Sequence, residues 1–204
     1  MSAGALSLSR VVPTPPPPTA AELKLQHLVE RVQHDDLAAF EELYRLTRDD
    51  VSRTLFHLVG ARADLEDLLQ ETYLKLLKAV PRYRRQSRFR TFLYGVCANV
   101  ALMHLRWWRR RREDSTADLP ETIAPGQDPE AVAQSKEAQR LVQRALAGMS
   151  AKKRIVFVYH ELCDMGPEEI AEATETPYNT VRSRLHHARM EFTQAMRSLT
   201  GEAA

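Results

Sequence analysis

Residues 166–191 read GPEEIAEATETPYNTVRSRLHHARME, and this stretch decides the fold of the C-terminal part of the chain. Gly166 is a suitable N-cap and Pro167 a suitable first helical residue, because proline lacks an N–H that would go unbonded there. Thr176 and Pro177 repeat this cap-and-proline arrangement ten residues later. The stretch therefore predicts a short helix, a three-residue break and a longer helix, which is the spacing of a helix-turn-helix motif.

The longer helix of this motif has an apolar inner face and a polar outer face. Val181, Leu185 and Ala188 recur at helical spacing and are expected to face inward. Arginine can form two hydrogen bonds to guanine, asparagine can do the same with adenine, and hydroxyl groups can bond phosphates or bases. We therefore predict sequence-specific DNA binding, against the alternative of an ordinary helical hairpin with a polar surface. The residues expected at this surface are Pro177, Tyr178, Asn179, Thr180, Arg182, Ser183, Arg184 and His187.

Two neighbouring segments ahead of the motif carry opposite charge. Residues 82–112 contain ten arginines and no lysine or acid, whereas residues 64–71 (DLEDLLQE) contain four acids and no base. Such asymmetry favours two different partners, a polyanion for the basic segment and a protein surface for the acidic one. The alternative is that both segments are solvated helix faces. Because a helix-turn-helix alone is compatible with many regulators, the function depends on this pair of segments.

Helical spacing of apolar residues begins at Ala20 and continues over much of the chain. It predicts two further helices over about 65–80 and 89–112, which would complete an antiparallel bundle. In the first of them, one stripe of leucines is expected to face inward. Four charged residues then point outward: Asp64, Asp67, Glu71 and Lys75. The acidic face is therefore expected to be exposed.

Proline, glycine and acidic residues mark the boundaries between the helical segments. We predict an all-α fold of two small helical domains joined by a flexible acidic linker. The expected parts are a disordered Pro-rich extension over 1–20, a first domain over 21–112, the linker over 113–134, a helix-turn-helix domain over 135–199 and a tail over 200–204.

The stretch from Ile155 to Tyr159 (IVFVY) is ambiguous, because β-branched and aromatic residues favour a buried strand. In a helix, Ile155, Val158, Tyr159 and Leu162 would share one face, and Ser150 would cap the helix. A strand would also need a partner, which the sequence does not offer. We therefore predict a helix.

Composition argues against several classes of protein. Only two cysteines are present, which indicates a reducing compartment, and no apolar stretch is long enough to span a bilayer, so we expect a cytoplasmic protein without membrane insertion. Adjacent carboxylates such as Glu66 and Asp67 point apart on a helix and make poor acid–base pairs. His160 and Cys163 with His186 and His187 are a weak zinc signal without a paired-ligand motif. We expect no catalytic residues, no metal and no cofactor.

Three collinear segments resemble the extracytoplasmic-function (ECF) group of sigma-70-type RNA polymerase sigma factors. Residues 64–75 (DLEDLLQETYLK) resemble the polymerase-binding helix of that family, and residues 90–99 (RTFLYGVCAN) resemble its promoter-melting and minus-10-reading segment. Residues 169–172 (EIAE) and 180–186 (TVRSRLH) resemble the helices of its sigma-4 domain. The resemblance covers about residues 30–195 and implies a sigma-2 domain, a linker and a sigma-4 domain.

The resemblance implies a role for each of the charged surfaces. The acidic segment would dock on the β′ clamp helices of core RNA polymerase, whose β flap is a further expected contact. The sigma-4 domain would read duplex DNA at minus-35 through residues 177–187. The residues implied in polymerase binding are Asp64, Glu66, Asp67, Gln70, Glu71 and Lys75. Those implied in minus-10 recognition and melting are Arg84, Arg85, Ser87, Arg88, Phe89, Thr91, Asn99, Arg106, Trp107, Arg109 and Arg110.

Two further expectations come with the resemblance. The partners would be core RNA polymerase, promoter DNA and an anti-sigma factor. The turn of the helix-turn-helix departs from the family pattern of an apolar residue, glycine and an apolar residue, because Thr174, Glu175 and Thr176 occupy these positions. A regulator that binds DNA through the last domain without polymerase remains the alternative function.

Overall fold

The computed structural model describes residues 19–60, 65–113 and 129–201, and these ranges contain eight α-helices, one short 3₁₀ helix and no strand. The predicted all-α fold is confirmed. The helices are α1 (Ala20–Gln33), α2 (Leu37–Val59), α3 (Leu65–Ala79), α4 (Phe89–Glu113), α5 (Pro129–Ala147), α6 (Ala151–Glu161), α7 (Pro167–Ala173) and α8 (Tyr178–Thr200), with the 3₁₀ helix at Val80–Arg82 between α3 and α4.

Local capping interactions set the ends of the first two helices. Thr19 and Glu22 form a capping box, in which the Glu22 N–H donates to Thr19 Oγ1 (3.2 Å) and the Thr19 N–H donates to Glu22 Oε2 (2.7 Å). Asp35 ends α1 in the left-handed conformation (φ 62°), and Asp36 then caps α2 by accepting from the Ala39 N–H at 3.0 Å. The sharp connection between α1 and α2 follows from these contacts.

Helices α1–α4 form the first domain, with α2 in contact with each of the other three helices. Its core contains fully buried leucines such as Leu43, Leu55 and Leu76. One buried polar pair lies among them: Tyr73 donates its hydroxyl hydrogen to Thr47 Oγ1 at 2.7 Å, and Thr47 donates to the Leu43 carbonyl. Both hydroxyl groups are therefore satisfied, as buried polar groups require.

Helices α5–α8 form the second domain, and α6 carries the ambiguous segment. The prediction of a helix at Ile155–Tyr159 is confirmed, and all five side chains of this segment are buried. Helix α6 contacts α7 and α8 of its own domain and also α2 and α4 of the first domain. A helix enclosed on most of its surface is apolar around most of its circumference, so the strand-like composition reflects burial rather than strand formation.

Both ends of the expected linker, residues 113–134, lie in helices. Helix α4 extends to Glu113, and α5 begins at Pro129 rather than after residue 134. The rest of that segment, residues 114–128, lies outside the described residues, as do residues 1–18 of the expected extension, residues 61–64 and residues 202–204. Within the described ranges, no helix combines the length and hydropathy needed to cross a membrane.

Candidate nucleic-acid interface

The acidic side of α3 is displayed on the surface, as predicted. Leu68, Leu69, Thr72 and Leu76 are buried on the inner side, whereas Glu66, Asp67 and Gln70 are exposed. The carboxylates are partly engaged by neighbouring cations: Glu66 pairs with Arg48 at 3.5 Å, and Glu71 pairs with Lys75 at 2.7 Å. Asp64, also expected on this surface, lies outside the described residues.

The arginine-rich connection between α3 and α4 has a defined shape that the sequence did not reveal. Gln33 of α1 donates through Nε2 to the carbonyls of Val80 (2.9 Å) and Tyr83 (2.8 Å). Tyr83 is buried and donates its hydroxyl hydrogen to the Ser87 carbonyl at 2.6 Å. Arg85 adopts the left-handed conformation (φ 55°). The side chains of Gln33 and Tyr83 therefore hold this loop in place through hydrogen bonds to its backbone carbonyls.

Carboxylates of α1 lie against the arginines of this loop. Arg85 pairs with Glu30, and Arg88 pairs with Glu22 at 3.1 Å and approaches Glu169 of α7 at 3.9 Å. The pKa of Glu22 lies below its ordinary value, chiefly because its carboxylate accepts from the Thr19 backbone N–H, with Arg88 contributing through its charge. The loop therefore presents its cations already partly neutralised from within the chain.

Two residues expected to contact minus-10 DNA are placed in the core instead. Phe89 is 2% exposed and Thr91 is 3% exposed. The Phe89 ring packs edge-on against Tyr83, with 5.9 Å between ring centroids, and also lies against Phe92 at 6.3 Å. The first turn of α4 faces the bundle, so neither side chain can reach DNA in this conformation. Their assignment to a DNA contact stays a prediction, and it requires a conformation other than this one.

The middle and the C-terminal half of α4 expose several polar residues to solvent. Asn99 is exposed, and so are the expected phosphate-binding residues Arg106, Arg109 and Arg110. Trp107 is 49% exposed and meets Trp108 edge-on at 5.5 Å. The helix thus offers a large aromatic ring between cationic side chains, which is the composition of surfaces that bind single-stranded nucleic acid.

The helix-turn-helix motif is present at the predicted place. Gly166 caps α7 with Pro167 as its first residue, and the Gly166 N–H donates to Glu169 Oε2 at 3.0 Å. Helix α8 starts one residue later than predicted, at Tyr178, with Pro177 as its N-cap. Val181, Leu185 and Ala188 are buried, as expected. The exposed residues of the expected DNA-binding set are Pro177, Asn179, Arg182, Ser183 and His187, and the half-buried ones are Tyr178, Thr180 and Arg184.

Contacts within α8 and the turn distinguish its two arginines. Arg182 lies over the Tyr178 ring, with 5.9 Å from its Cζ atom to the centroid, and extends from the exposed side. Arg184 instead donates through Nη1 to Thr176 Oγ1 at 3.3 Å and thereby connects α8 to the turn. Arg182 is thus exposed beside Tyr178, whereas Arg184 supports the turn.

The atypical turn keeps a regular helix-ending geometry. The Thr176 N–H donates to the Ala171 carbonyl (2.9 Å), and the Glu175 N–H donates to the Glu172 carbonyl (3.2 Å). This pair of bonds is the Schellman motif, which requires a left-handed residue between helix and turn. Glu175 supplies it with φ 47°, where glycine would be unstrained. The sequence Thr174-Glu175-Thr176 therefore changes the strain of the turn and not its shape.

Replacing Glu175 by glycine is expected to stabilise the chain by about 0–1.5 kcal/mol. A left-handed non-glycine residue costs roughly 1–2 kcal/mol, and glycine loses about 0.5–1 kcal/mol more backbone entropy on folding than other residues. Thermal unfolding followed by circular dichroism measures the difference. The control is Glu172→Gly, in the last turn of α7, which should destabilise by a similar amount. A lower melting temperature for Glu175→Gly would contradict the argument.

Among the side chains that the structure places, no group of three or more His, Cys, Asp or Glu residues is arranged to hold a metal ion. His160 lies with Nδ1 2.9 Å from the Met165 carbonyl, and Cys163 with Sγ 3.5 Å from Thr54 Oγ1. Burial raises the pKa of the Cys163 thiol. These residues have structural contacts of their own.

The two parts of the chain match two parts of one protein family. The family model for Sigma-70 region 2 matches residues 43–112, and the model for Sigma-70, region 4 matches residues 139–192. The ECF RNA polymerase sigma-E factor of Haemophilus influenzae is 33% identical over 178 residues, which cover 83% of this chain and 94% of that protein. The sigma-E factor of Escherichia coli (strain K12) is 31% identical over 176 residues, which cover 82% and 92%.

Solved structures show the same arrangement of helices. CnrH, in complex with the cytosolic domain of CnrY, aligns with a TM-score of 0.63 at 16% identity over 86% of this chain and 98% of that one. The sigma factor RpoE from Bartonella quintana, in complex with the anti-sigma factor NepR, aligns with a TM-score of 0.62 at 21% identity over 78% and 96%. At these identities, the likeness concerns the fold.

Proposed function

This chain belongs to the ECF group of sigma-70-type RNA polymerase sigma factors, and from that premise we propose which of its surfaces meets which partner. As an alternative sigma factor, it directs RNA polymerase to promoters. The observation that carries the assignment of surfaces is the separation of charge in the folded chain. Helix α3 displays acids on its exposed side, whereas groups of exposed arginines lie in the loop before α4, at the end of α4 and on α8.

The acidic side of α3 docks on the β′ clamp helices of core polymerase. Its exposed residues Glu66, Asp67 and Gln70 are carried by a helix whose other side is anchored in the core, so the surface is rigid. Glu71 and Lys75 satisfy each other in the free chain and can exchange partners on docking. A preformed charged surface favours fast and selective association with a cationic partner.

The Arg-rich loop and the middle and C-terminal half of α4 bind the minus-10 element and hold it unpaired. Base–aromatic stacking contributes roughly 1–3 kcal/mol per base, which is comparable with the few kcal/mol that unstacking a base costs. Trp107 offers an exposed ring for this purpose, and Asn99 offers hydrogen bonds. Arg106, Arg109 and Arg110 contact phosphates, which adds affinity without sequence information.

Helix α8 reads the minus-35 element in the major groove. Its exposed N-terminal residues, including Asn179, Arg182 and Ser183, can donate to or accept from base edges. The positive end of the helix dipole favours a phosphate at the same end. The β flap of polymerase is the partner that would hold this second domain at its distance from the first.

An anti-sigma factor is a further partner, and the cytoplasm is the compartment in which these partners meet. Two proteins of the same fold were solved in complexes, one of them RpoE with the anti-sigma factor NepR and the other CnrH with the cytosolic domain of CnrY. The two-cysteine composition, without a disulfide framework, fits a reducing compartment.

Run-off transcription tests the proposal. Purified chain and core RNA polymerase are incubated with a library of genomic promoter fragments, and the transcript starts are sequenced. We expect initiation at discrete sites that share minus-35 and minus-10 elements at fixed spacing. Core polymerase without the chain is the control. Retained binding to duplex DNA without any initiation would contradict the proposal and favour a regulator that acts without polymerase.

A further inference from the structure

Helix α1 borders the Arg-rich loop, residues 83–88, although nothing so far gives this helix a function. It contacts both the 3₁₀ helix before the loop and helix α4 after it. The family model for Sigma-70 region 2 begins at residue 43, so that match does not include α1. The contacts of α1 with the loop are therefore the observation from which a role for this helix can be inferred.

One side chain of α1 fixes the start of the loop. Gln33 is half-buried at the end of α1 and donates through Nε2 to the carbonyls of Val80 (2.9 Å) and Tyr83 (2.8 Å). A glutamine amide has two N–H donors, so one nitrogen can serve both carbonyls. The Tyr83 N–H in turn donates to the Val80 carbonyl at 3.0 Å. The Gln33 amide therefore sets the direction in which the chain leaves the 3₁₀ helix.

The side chain of Tyr83 carries this constraint to the other end of the loop. Its hydroxyl group donates to the Ser87 carbonyl at 2.6 Å. Its buried ring packs against Phe89, with 5.9 Å between ring centroids, and against Phe92 at 4.8 Å. Gln33 and Tyr83 thus form one connected set of contacts that spans the loop.

The middle of the loop also depends on α1. Arg85 adopts the left-handed conformation (φ 55°), which is unfavourable for a residue with a side chain. Such a conformation persists only where the surrounding contacts determine it. Arg85 pairs with Glu30, and Arg88 pairs with Glu22 at 3.1 Å, and both carboxylates belong to α1. The loop is therefore attached to α1 at its start, its middle and its end.

We propose that Gln33 is a positioning residue for minus-10 recognition, because its amide keeps residues 83–88 in the conformation that distinguishes one base from another. This inference rests on the function proposed above for the Arg-rich loop. DNA that binds a preformed loop does not have to order it, so contacts remote from the DNA add to the affinity for the matching element. Phosphate contacts of arginines depend on charge and carry no sequence information. Gln33 therefore contributes to discrimination and not to nonspecific binding.

Gln33→Met tests whether the amide holds the loop. Methionine has a similar length, the same charge and a good helix propensity, but it has no N–H to donate. Trypsin cleaves after arginine, and Arg84 and Arg85 are exposed in the loop. We expect cleavage at these two sites to be faster in the full-length variant by at least about 5-fold, the factor for ordering one residue. Mass spectrometry of the early fragments measures the rates, and circular dichroism checks that the helices remain.

A second measurement tests the link to recognition. The unaltered chain or Gln33→Met is combined with core polymerase. Two labelled single-stranded oligonucleotides are titrated, one with the minus-10 element found by run-off transcription and one with the same bases scrambled. We expect Gln33→Met to bind the element about 5- to 30-fold more weakly, since the loop must now be ordered on binding. The scrambled strand should change by less than about 2-fold, because the charge is unaltered.

Two further variants separate positioning from a general loss of stability. Gln143→Met makes the same exchange at another half-buried glutamine, whose Nε2 lies 3.0 Å from His57 Nδ1 between α5 and α2. It should leave both the cleavage of the loop and the discrimination unchanged. Gln33→Lys restores a donor group that can reach both carbonyls. Its discrimination should return toward that of the unaltered chain, while its added charge strengthens both oligonucleotides alike.

Cleavage needs neither polymerase nor DNA, so its outcome is separate from that of the proposed function. Unchanged cleavage at Arg84 and Arg85 in Gln33→Met would overturn the inference. Faster cleavage with full discrimination would overturn the link to recognition, and so would an equal loss of affinity for both oligonucleotides. A polymerase complex of the unaltered chain that did not distinguish the two strands would contradict the proposed function itself, and this inference with it.

Discussion

Replacing Glu66 and Asp67 together by lysine is expected to lower the affinity of the chain for core RNA polymerase by at least about 100-fold, because like charges facing each other across an interface cost several kcal/mol. Both carboxylates are exposed on α3. The fold should survive, since the Glu66–Arg48 ion pair is exposed and such pairs contribute only about 0.2–1 kcal/mol. Affinity is measured by titrating labelled chain with core polymerase.

A control with the same change in charge separates a docking surface from a general effect of charge. Glu41→Lys with Asp49→Lys alters two exposed acids of α2 by the same amount. This control should change the affinity for polymerase by less than about 5-fold, as expected for charges outside an interface, which act mainly through long-range attraction. Equal losses for the two double variants would remove the assignment of α3 as the docking surface.

The helix-turn-helix could be predicted from sequence because its signals are local. Gly166 with Pro167 is sufficient to mark a helix start, since capping and the missing proline N–H act within one turn. The segment at Ile155 was ambiguous for the opposite reason. Its apolar composition indicates only that the segment is buried. The contacts of α6 with both domains show that a helix can be buried on most of its surface.

The placement of the DNA-contacting residues could be predicted only in part. Phe89 and Thr91 follow an arginine-rich loop in sequence, but their burial depends on which way the first turn of α4 faces, and Tyr83 and Phe92 decide that by packing. Asn99, Arg106, Arg109 and Arg110 are exposed, as the sequence predicted. Residue type predicted which side chains could bind DNA, and packing determined which of them are exposed.

The packing of α7 on α4 leaves little trace in the sequence. The close approach of Gly95 to the Ala173 carbonyl involves backbone atoms, so no pattern of side chains predicts it. The ion pairs of Arg85 and Arg88 with α1 join segments more than fifty residues apart. Charge composition alone therefore suggested an arginine loop free to bind DNA, whereas the fold supplies acids to it from a helix that had no assigned function.

Arg182→Ala is expected to lower the affinity for duplex DNA carrying the minus-35 element by about 5- to 150-fold, since a bidentate arginine–guanine contact contributes about 1–3 kcal/mol of discrimination. Arg182 is exposed on α8, beside Tyr178, and is well placed to reach a base edge. The variant should also narrow the difference in affinity between the minus-35 duplex and a scrambled one. Fluorescence anisotropy with both duplexes at one fixed salt concentration measures the two effects.

Arg197→Ala is the matched control, because Arg197 lies in the last turn of the same helix and is also exposed. It removes the same charge at the end of α8 that points away from the motif, so it should weaken both duplexes slightly and equally, as loss of a nonspecific charge does. If Arg182→Ala behaved in the same way, Arg182 would be a phosphate contact. Discrimination at minus-35 would then fall to Asn179 and Ser183, the other exposed polar residues at the start of α8.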